Sequence, residues 1–423
     1  MSHIVVVGAG LSGSIAALSA KEHAPDADVT LLSTAPERYR YESGLLGVLG
    51  YTNGKDHPIE SPLESFATLS ETHPYRRIGE GAMRDGLAFF DNLFDAESSL
   101  SYSSGTEQNA LVPTTVGNVR PVSRYPEANS AGLVSDQRPM HIVGFNELTH
   151  LDAEFVAECL DSTMPYDVDW STVPLPDQLS EMTALAEIGR TLDTSLDDSQ
   201  QQVCKDLAAA VRPELDIEPR VGFPAMLGVE NHAAVRSEVA SSLHAEVFEI
   251  PAAEPHVGGL RLKRALRTLV EEAGIEQANV TVREFDSESG TIQSLSVHKE
   301  DTEESTRISG DVFVLATGGV AAGGLVGTPT GVREPIFDCS ITGPSKPSAW
   351  SDSQALGDHP FASFGVDVTA EFQPASPSGE ATYENLHAVG TVLGGHNAVQ
   401  EESRGGVAIA TGYSVGKDIA ERY

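Results

Sequence analysis

Basic residues are scarce in this chain. Lys and Arg number 27 against 62 Asp and Glu, a net charge of −35 over 423 residues. Lysine is rarest, at Lys21, Lys55, Lys205, Lys263, Lys299, Lys346 and Lys417 alone. At about one negative charge per ~450 Å² of surface, such a protein repels nucleic-acid phosphate and anionic lipid. Binding to either is excluded as its task. Acidic excess with little lysine suggests adaptation to multimolar salt, where the Debye length falls to about 3 Å and self-repulsion is screened.

Cysteine is nearly absent: Cys159, Cys204 and Cys339 lie far apart and form no C-x-x-C. A structural zinc or an iron–sulfur cluster on this chain is therefore not expected, and neither is a disulfide framework. No run of 18 apolar residues occurs, so no membrane span is expected. Residues 1–3 lack the basic region of a signal peptide, and a cytoplasmic location is expected. At 40% hydrophobic residues, global disorder is also out.

What is present begins at once. Residues 4–7 are a β-branched and apolar run, as in a strand buried on both faces. Residues 11–23 carry helical spacing at Leu11, Ile15 and Leu18, and residues 29–32 read as a second buried strand. This βαβ unit predicts a parallel sheet. Between the first strand and the helix stands Gly8-Ala9-Gly10-Leu11-Ser12-Gly13, a G-x-G-x-x-G. The first glycine permits the turn, the second lets the backbone approach a phosphate, and the third lets helix pack on strand. The helix N-terminus offers N–H groups and a partial positive charge. The acidic residue that holds a ribose at the end of the second strand is missing. Ser33 stands there, with Glu37 following.

Further along, residues 82–95 predict an amphipathic helix and 98–109 a polar, turn-rich stretch. Residues 140–143 read as a strand, 152–160 as a helix, and 193–202 as a solvated loop or helix entry. Residues 224–228 read as a loop held against something. A helix is expected over 260–273 and a hairpin about Ser289-Gly290. Buried strands are expected at 312–316 and 386–389, and a closing helix over 407–420. Leu315-Ala316-Thr317-Gly318-Gly319 ends one of these strands. Gly390-Thr391, Leu393-Gly394-Gly395 and Arg404-Gly405-Gly406 follow the other.

Taken together these segments resemble the glutathione-reductase-like flavoproteins. More narrowly, the chain resembles the B subunits of anaerobic glycerol-3-phosphate dehydrogenase. The stretches that carry this are Ser43-Gly44-Leu45, His73-Pro74-Tyr75 with Gly79, Met140 to Gly144, and Pro224-Ala225. More specific are Gly323-Gly324-Leu325-Val326 leading to Gly331-Val332-Arg333-Glu334-Pro335, then Phe364-Gly365-Val366, and Glu384-Asn385-Leu386 with the Gly390 to Gly395 run. They extend over nearly the whole chain.

The resemblance implies an α/β, Rossmann-like, three-layer FAD/NAD(P)-binding domain with an inserted α+β cap. The expected division is 1–95 and 256–423 for the nucleotide-binding domain and 96–255 for the insert. It implies a flavin, with FMN favoured and FAD the other choice, the missing carboxylate at Ser33 fitting FMN. It implies a catalytic A subunit and an iron–sulfur C subunit as partners, the latter attaching the complex to the inner face of the cell membrane. The complex would oxidise sn-glycerol 3-phosphate to dihydroxyacetone phosphate and pass electrons to a quinone or terminal acceptor. Expected cofactor contacts are Gly8, Gly10, Leu11 and Gly13 at phosphate, Ser43 and Gly44 near the flavin, Gly318 at a strand end, and Gly390, Thr391, Gly405 and Gly406 at the ring.

For chemistry, oxidising a secondary alcohol needs a base and a phosphate needs Arg. His396 and Arg404 flank the expected flavin loop and are the candidates, with Arg333, Glu334 and His359 behind them. Other readings remain: an electron-transfer or assembly subunit with no substrate site, another flavin-dependent dehydrogenase of the fumarate-reductase kind, or a protein that kept the fold without flavin.

Overall fold

The computed structural model describes residues 2–33, 43–52, 57–95, 100–103, 106–194, 202–216, 219–251, 256–299, 305–354, 357 and 359–423. The chain divides into two compact units. One comprises Met1–Tyr39, Gly47–Leu93 and Leu266–Tyr423, the other Arg40–Leu46 and Phe94–Ala265.

The first unit is built on a five-stranded sheet in the order Leu386–Ala388, Val312–Leu315, His3–Val7, Asp28–Ser33, Glu276–Asn279. Every pair in it is parallel. Its central strands are the β-branched runs of the sequence, and Ile4, Val5, Val6, Val312, Phe313 and Val314 have no exposed surface. Two helices, Leu11–His23 and the closing Arg404–Arg422, pack on each other through small residues. A Cβ at Gly412 would strike the Ser12 carbonyl, and one at Gly416 the Ala16 carbonyl. The two helix backbones therefore approach more closely than larger residues would permit.

The expected hairpin joins Thr281–Glu288 to Thr291–His298, with Ser305–Ser309 as a third antiparallel strand. Ser289 (φ 51°) and Gly290 (φ 82°) both take positive φ, as a two-residue hairpin turn requires. Asn385 ties this sheet to the parallel one: its side chain accepts from the Ile292 N–H at 2.9 Å and donates to the Ile292 and Asp311 carbonyls. The helix expected over 82–95 is longer, Pro74–Leu93, and kinks at Gly79 (φ 79°, ψ 166°).

The second unit also centres on a parallel sheet, in the order Val168–Val173, Met140–Phe145, Arg220–Pro224, Glu246–Ile250. Alternate residues serve two apolar clusters. Val143, Phe145, Val221 and Phe223 pack with the helices Leu185–Thr194, Gln202–Val211 and His232–Leu243. Met140, Ile142, Phe248 and Ile250 pack with Ala153–Asp161. Asp152 caps that last helix, accepting the Phe155 N–H at 3.1 Å. A short hairpin, Ala110–Pro113 with Val119–Val122, precedes the sheet.

Two buried cations brace this unit. Arg220, fully buried, donates to the carbonyls of Ala131, Leu133, Asp136 and Arg138 and lies 5.3 Å from the Tyr166 ring. Arg261 pairs with Glu249, both side chains about 2% exposed, and also holds the Gly228 carbonyl. Burial alone would raise the Glu249 pKa, but Arg261 and the Leu227 N–H hold it below the usual carboxylate range. The segment 224–228 is thus held from two sides. Asp193, read from sequence as part of a solvated stretch, instead accepts the N–H groups of Val229, Glu230 and Asn231. Residues 195–201 lie outside the described residues.

Candidate functional site

Parallel register sets the site. Val7 pairs with Leu315 and with Leu32, and Leu315 pairs with Ala388, so four strands end together. The residues that follow are Gly8, Ala316-Thr317-Gly318, Ser33, and Val389-Gly390-Thr391. The carboxyl edge of a parallel sheet is where open α/β folds receive their ligands.

The three fingerprint glycines have different physical duties. Gly8 takes φ 115°, and a Cβ there would strike the Ala316 carbonyl. A Cβ on Gly13 would strike the Gly8 carbonyl. Both glycines are demanded by close packing. Gly10 is unlike them: its φ is −76°, and a Cβ would meet nothing within 4 Å. The chain leaves space at the one glycine where the backbone should meet a phosphate. Beside it the helix Leu11–His23 starts with no capping side chain and no acidic residue in its first turn. Its N–H groups and positive end are available to an anion.

Gly318 (φ 80°) lies against Ala322 and, more loosely, the Thr391 hydroxyl; a Cβ at Gly319 would press on the Thr391 carbonyl. Gly390 (φ 77°) packs on Ser12 in the first helical turn, and its N–H donates to Thr411 Oγ1 at 2.8 Å. The structure thus brings Gly8, Gly10, Leu11, Gly13, Gly318, Gly390 and Thr391 to one edge. Thr317 adds a buried hydroxyl with no hydrogen-bond partner among the described residues. An open glycine, an uncapped helix start and an orphaned hydroxyl fit a flavin nucleotide's phosphate and sugar groups.

The remaining candidates have packing and hydrogen-bond partners of their own. Gly405 and Gly406 are buried in the first turn of the closing helix. Gly406 gives its N–H to the Gly47 carbonyl at 2.8 Å, and a Cβ there would strike the Tyr75 hydroxyl. Ser43 and Gly44 belong to the second unit. Ser43 Oγ accepts from Arg120 at 3.1 Å, and the Gly44 carbonyl accepts the Tyr102 hydroxyl at 2.7 Å. Ser33 donates to Asn279 Oδ1 at 2.6 Å, so the serine at the usual ribose position is tied sideways to the next strand. Glu37 lies outside the described residues.

His396 sits on the loop from Gly390 to the closing helix and is 5% exposed. Neither ring nitrogen has a well-formed hydrogen bond among the described residues, although the Gly394 backbone favours the protonated ring. Burial pushes its pKa down to about 4, with Glu401 opposing the fall. Its ring meets the His73 ring edge-on at 5.7 Å between centroids. His73 Nδ1 accepts the Tyr75 N–H, so its other nitrogen, Nε2, donates to Glu401 at 3.1 Å. Glu401 also accepts from Ser403 Oγ and the Asn397 N–H. Burial would raise its pKa, but the hydrogen bonds from His73 and the Asn397 N–H keep it below the ordinary carboxylate value.

Sequence reading passed over Glu401 and quoted His73 only as part of a resembling stretch. The two are 328 positions apart and share no spacing signal. Arg404 is half-buried, with no hydrogen-bond or ion-pair partner among the described residues. Glu334 is a turn cap, its carboxylate accepting the Ile336 and Phe337 N–H groups, while Arg333 is exposed. His359 Nδ1 accepts the Asp352 N–H. Among the described residues no group of three or more His, Cys, Asp or Glu is placed to hold a metal, and no helix is long and apolar enough to cross a membrane.

Comparison with known proteins shows the family. A family model described as an FAD binding domain matches residues 3–406. The chain is 39% identical over 427 residues to a probable B subunit of anaerobic glycerol-3-phosphate dehydrogenase from Halobacterium salinarum, covering 99% of this chain and 98% of that one. It is 26% identical to the B subunit of anaerobic glycerol-3-phosphate dehydrogenase from Yersinia enterocolitica, covering 98% and 97%. Among solved structures it is similar to a 3-ketosteroid Δ1-dehydrogenase from Sterolibacterium denitrificans, at TM-score 0.45 and 9% identity, with all of both chains covered. The chain is an FAD-binding-domain oxidoreductase and belongs to the family of anaerobic glycerol-3-phosphate dehydrogenase B subunits.

Proposed function

We propose that this chain is the flavoprotein B subunit of a complex that oxidises sn-glycerol 3-phosphate to dihydroxyacetone phosphate. Electrons would pass through an iron–sulfur C subunit to a quinone or terminal acceptor, with an A subunit as the other partner. The observation that carries the reading is the end-to-end match to a relative of that name, 99% of one chain against 98% of the other. The family's description favours FAD over the FMN expected from sequence. A diphosphate also suits the open ground at Gly10.

When bound, the flavin supplies a two-electron acceptor. The chain's own residues supply the rest. Gly10 and the helix Leu11–His23 receive phosphate, and Thr317, Gly318, Gly390 and Thr391 line the edge beside it. His396 is the candidate to accept the alcohol proton. Arg404, a cation with no acidic partner among the described residues in a strongly acidic protein, is the candidate to hold the substrate phosphate.

The test is made on the chain purified alone in multimolar salt. The cofactor is released and identified by absorbance and mass, and glycerol 3-phosphate is then added without oxygen. Bleaching of the flavin by substrate alone is the expected result. Bleaching only after the A subunit is added would move the chemistry there and leave this chain a relay. A chain that binds no flavin at any salt concentration would end the proposal.

A further inference from the structure

Both ring nitrogens of His396 are buried without a well-formed hydrogen bond among the described residues, the Gly394 backbone alone bearing on the ring and favouring its protonated form. Leaving a buried donor and a buried acceptor unpaired is costly, and such groups in folded proteins normally meet a ligand or water. A neutral imidazole presents one N–H donor and one lone-pair acceptor. A hydroxyl group matches both at once. A phosphate dianion offers acceptors only.

The surroundings sharpen the choice. The titratable groups against His396 are Glu401 on its own loop and His73 ahead of the helix Pro74–Leu93, with Tyr75 joined through His73. All the donors on the Glu401 carboxylate are neutral: His73 Nε2–H, Ser403 Oγ–H and Asn397 N–H. Among the described residues no Lys or Arg pairs with it. A second anion placed there would be repelled, whereas a proton arriving on the imidazole would be favoured.

We propose that His396 binds an uncharged, hydroxyl-bearing part of a ligand, and that Glu401 and His73 are positioning residues that orient this imidazole and supply the negative field it feels. This rests on the proposed function in one respect: there the group would be the carbinol of glycerol 3-phosphate, its phosphate lying away from the Glu401 side.

The experiment uses the full chain in multimolar salt, labelled with ¹³Cε1-histidine and followed by NMR. The His396 resonance is identified by its loss in His396→Gln. Glycerol and glycerol 3-phosphate should each shift it, and inorganic phosphate should not. In Glu401→Gln its titration midpoint should fall further, by about one pH unit or more, and Glu401→Asp should restore most of that. Thermal melts establish that each variant is folded. His73→Asn, which spares the carboxylate, provides a second route should Glu401→Gln fail to fold: it should weaken the response to glycerol. A resonance indifferent to both polyols, or moved as much by inorganic phosphate, overturns the proposal. So does one unchanged by the loss of the Glu401 charge. Flavin content is read separately by absorbance, so a chain without flavin that still shows these shifts would count against the flavoprotein reading and not this one.

Discussion

At the scale of single residues, the glycine turn separates packing from binding. Gly13→Ala must push a Cβ into the Gly8 carbonyl. It should cost about 3 kcal/mol or more, seen as a lowered melting temperature. Gly10→Ala meets no atom and needs no unusual φ, so the melt should move by no more than about 0.5 kcal/mol. Its flavin content should nonetheless drop sharply, because the methyl group occupies the ground left for phosphate. Equal flavin content in Gly10→Ala and the unmodified chain would refute the placement. The fingerprint was legible in sequence because the strand, turn and helix that it joins are contiguous, although the Ala316 carbonyl that Gly8 must clear is distant in the chain. His73 and Glu401 were not, since their partnership exists only after folding. The buried cluster also fixes a pH response. The unfolded His396 binds a proton near the ordinary histidine value of about 6.5, whereas the folded one waits until about pH 4. Unfolding therefore takes up protons in that window, and stability falls as the pH falls through it. The lowered Glu401 pKa continues the loss at more acid pH. Urea unfolding at a series of pH values should show this slope, and His396→Gln should flatten its upper part.

At the scale of elements, strands with β-branched runs and the Ser289-Gly290 hairpin were readable from periodicity and turn chemistry. The kink at Gly79 was not, because the amphipathic pattern becomes clear only beyond it. The parallel pairing inside the second unit was also hidden. No strand is expected from sequence ahead of the loop at 224–228, yet Arg220–Pro224 is a fully buried strand whose arginine satisfies four carbonyls. Charged side chains in strands and loops read as surface until their partners are known. The pair Glu249–Arg261 allows a direct measurement. Glu249→Gln leaves the guanidinium buried without its carboxylate and should destabilise the protein by about 3–5 kcal/mol. A change under 1 kcal/mol in denaturant unfolding would mean that the pair is relieved by water.

At the scale of the whole molecule, charge decides the conditions of life. With a net charge of −35, the folded chain repels itself wherever salt is low. Raising KCl from about 0.2 M to about 3 M should lift the melting temperature by roughly 10 °C or more. An unchanged melt would leave the acidic composition without a stabilising role. This property was legible from composition alone, and the relative from Halobacterium salinarum is in keeping with it.

The strand order has a consequence for synthesis. His3–Val7 lies between Asp28–Ser33, which follows it closely, and Val312–Leu315, which is made some three hundred residues later. At a ribosomal pace of 5–20 residues per second, the first strand emerges and then waits on the order of 15–60 s for that neighbour. Throughout that interval one edge of an intensely apolar strand stands unpaired. A nascent chain with such a gap in its timetable is a natural client for a chaperone that guards hydrophobic edges until translation ends.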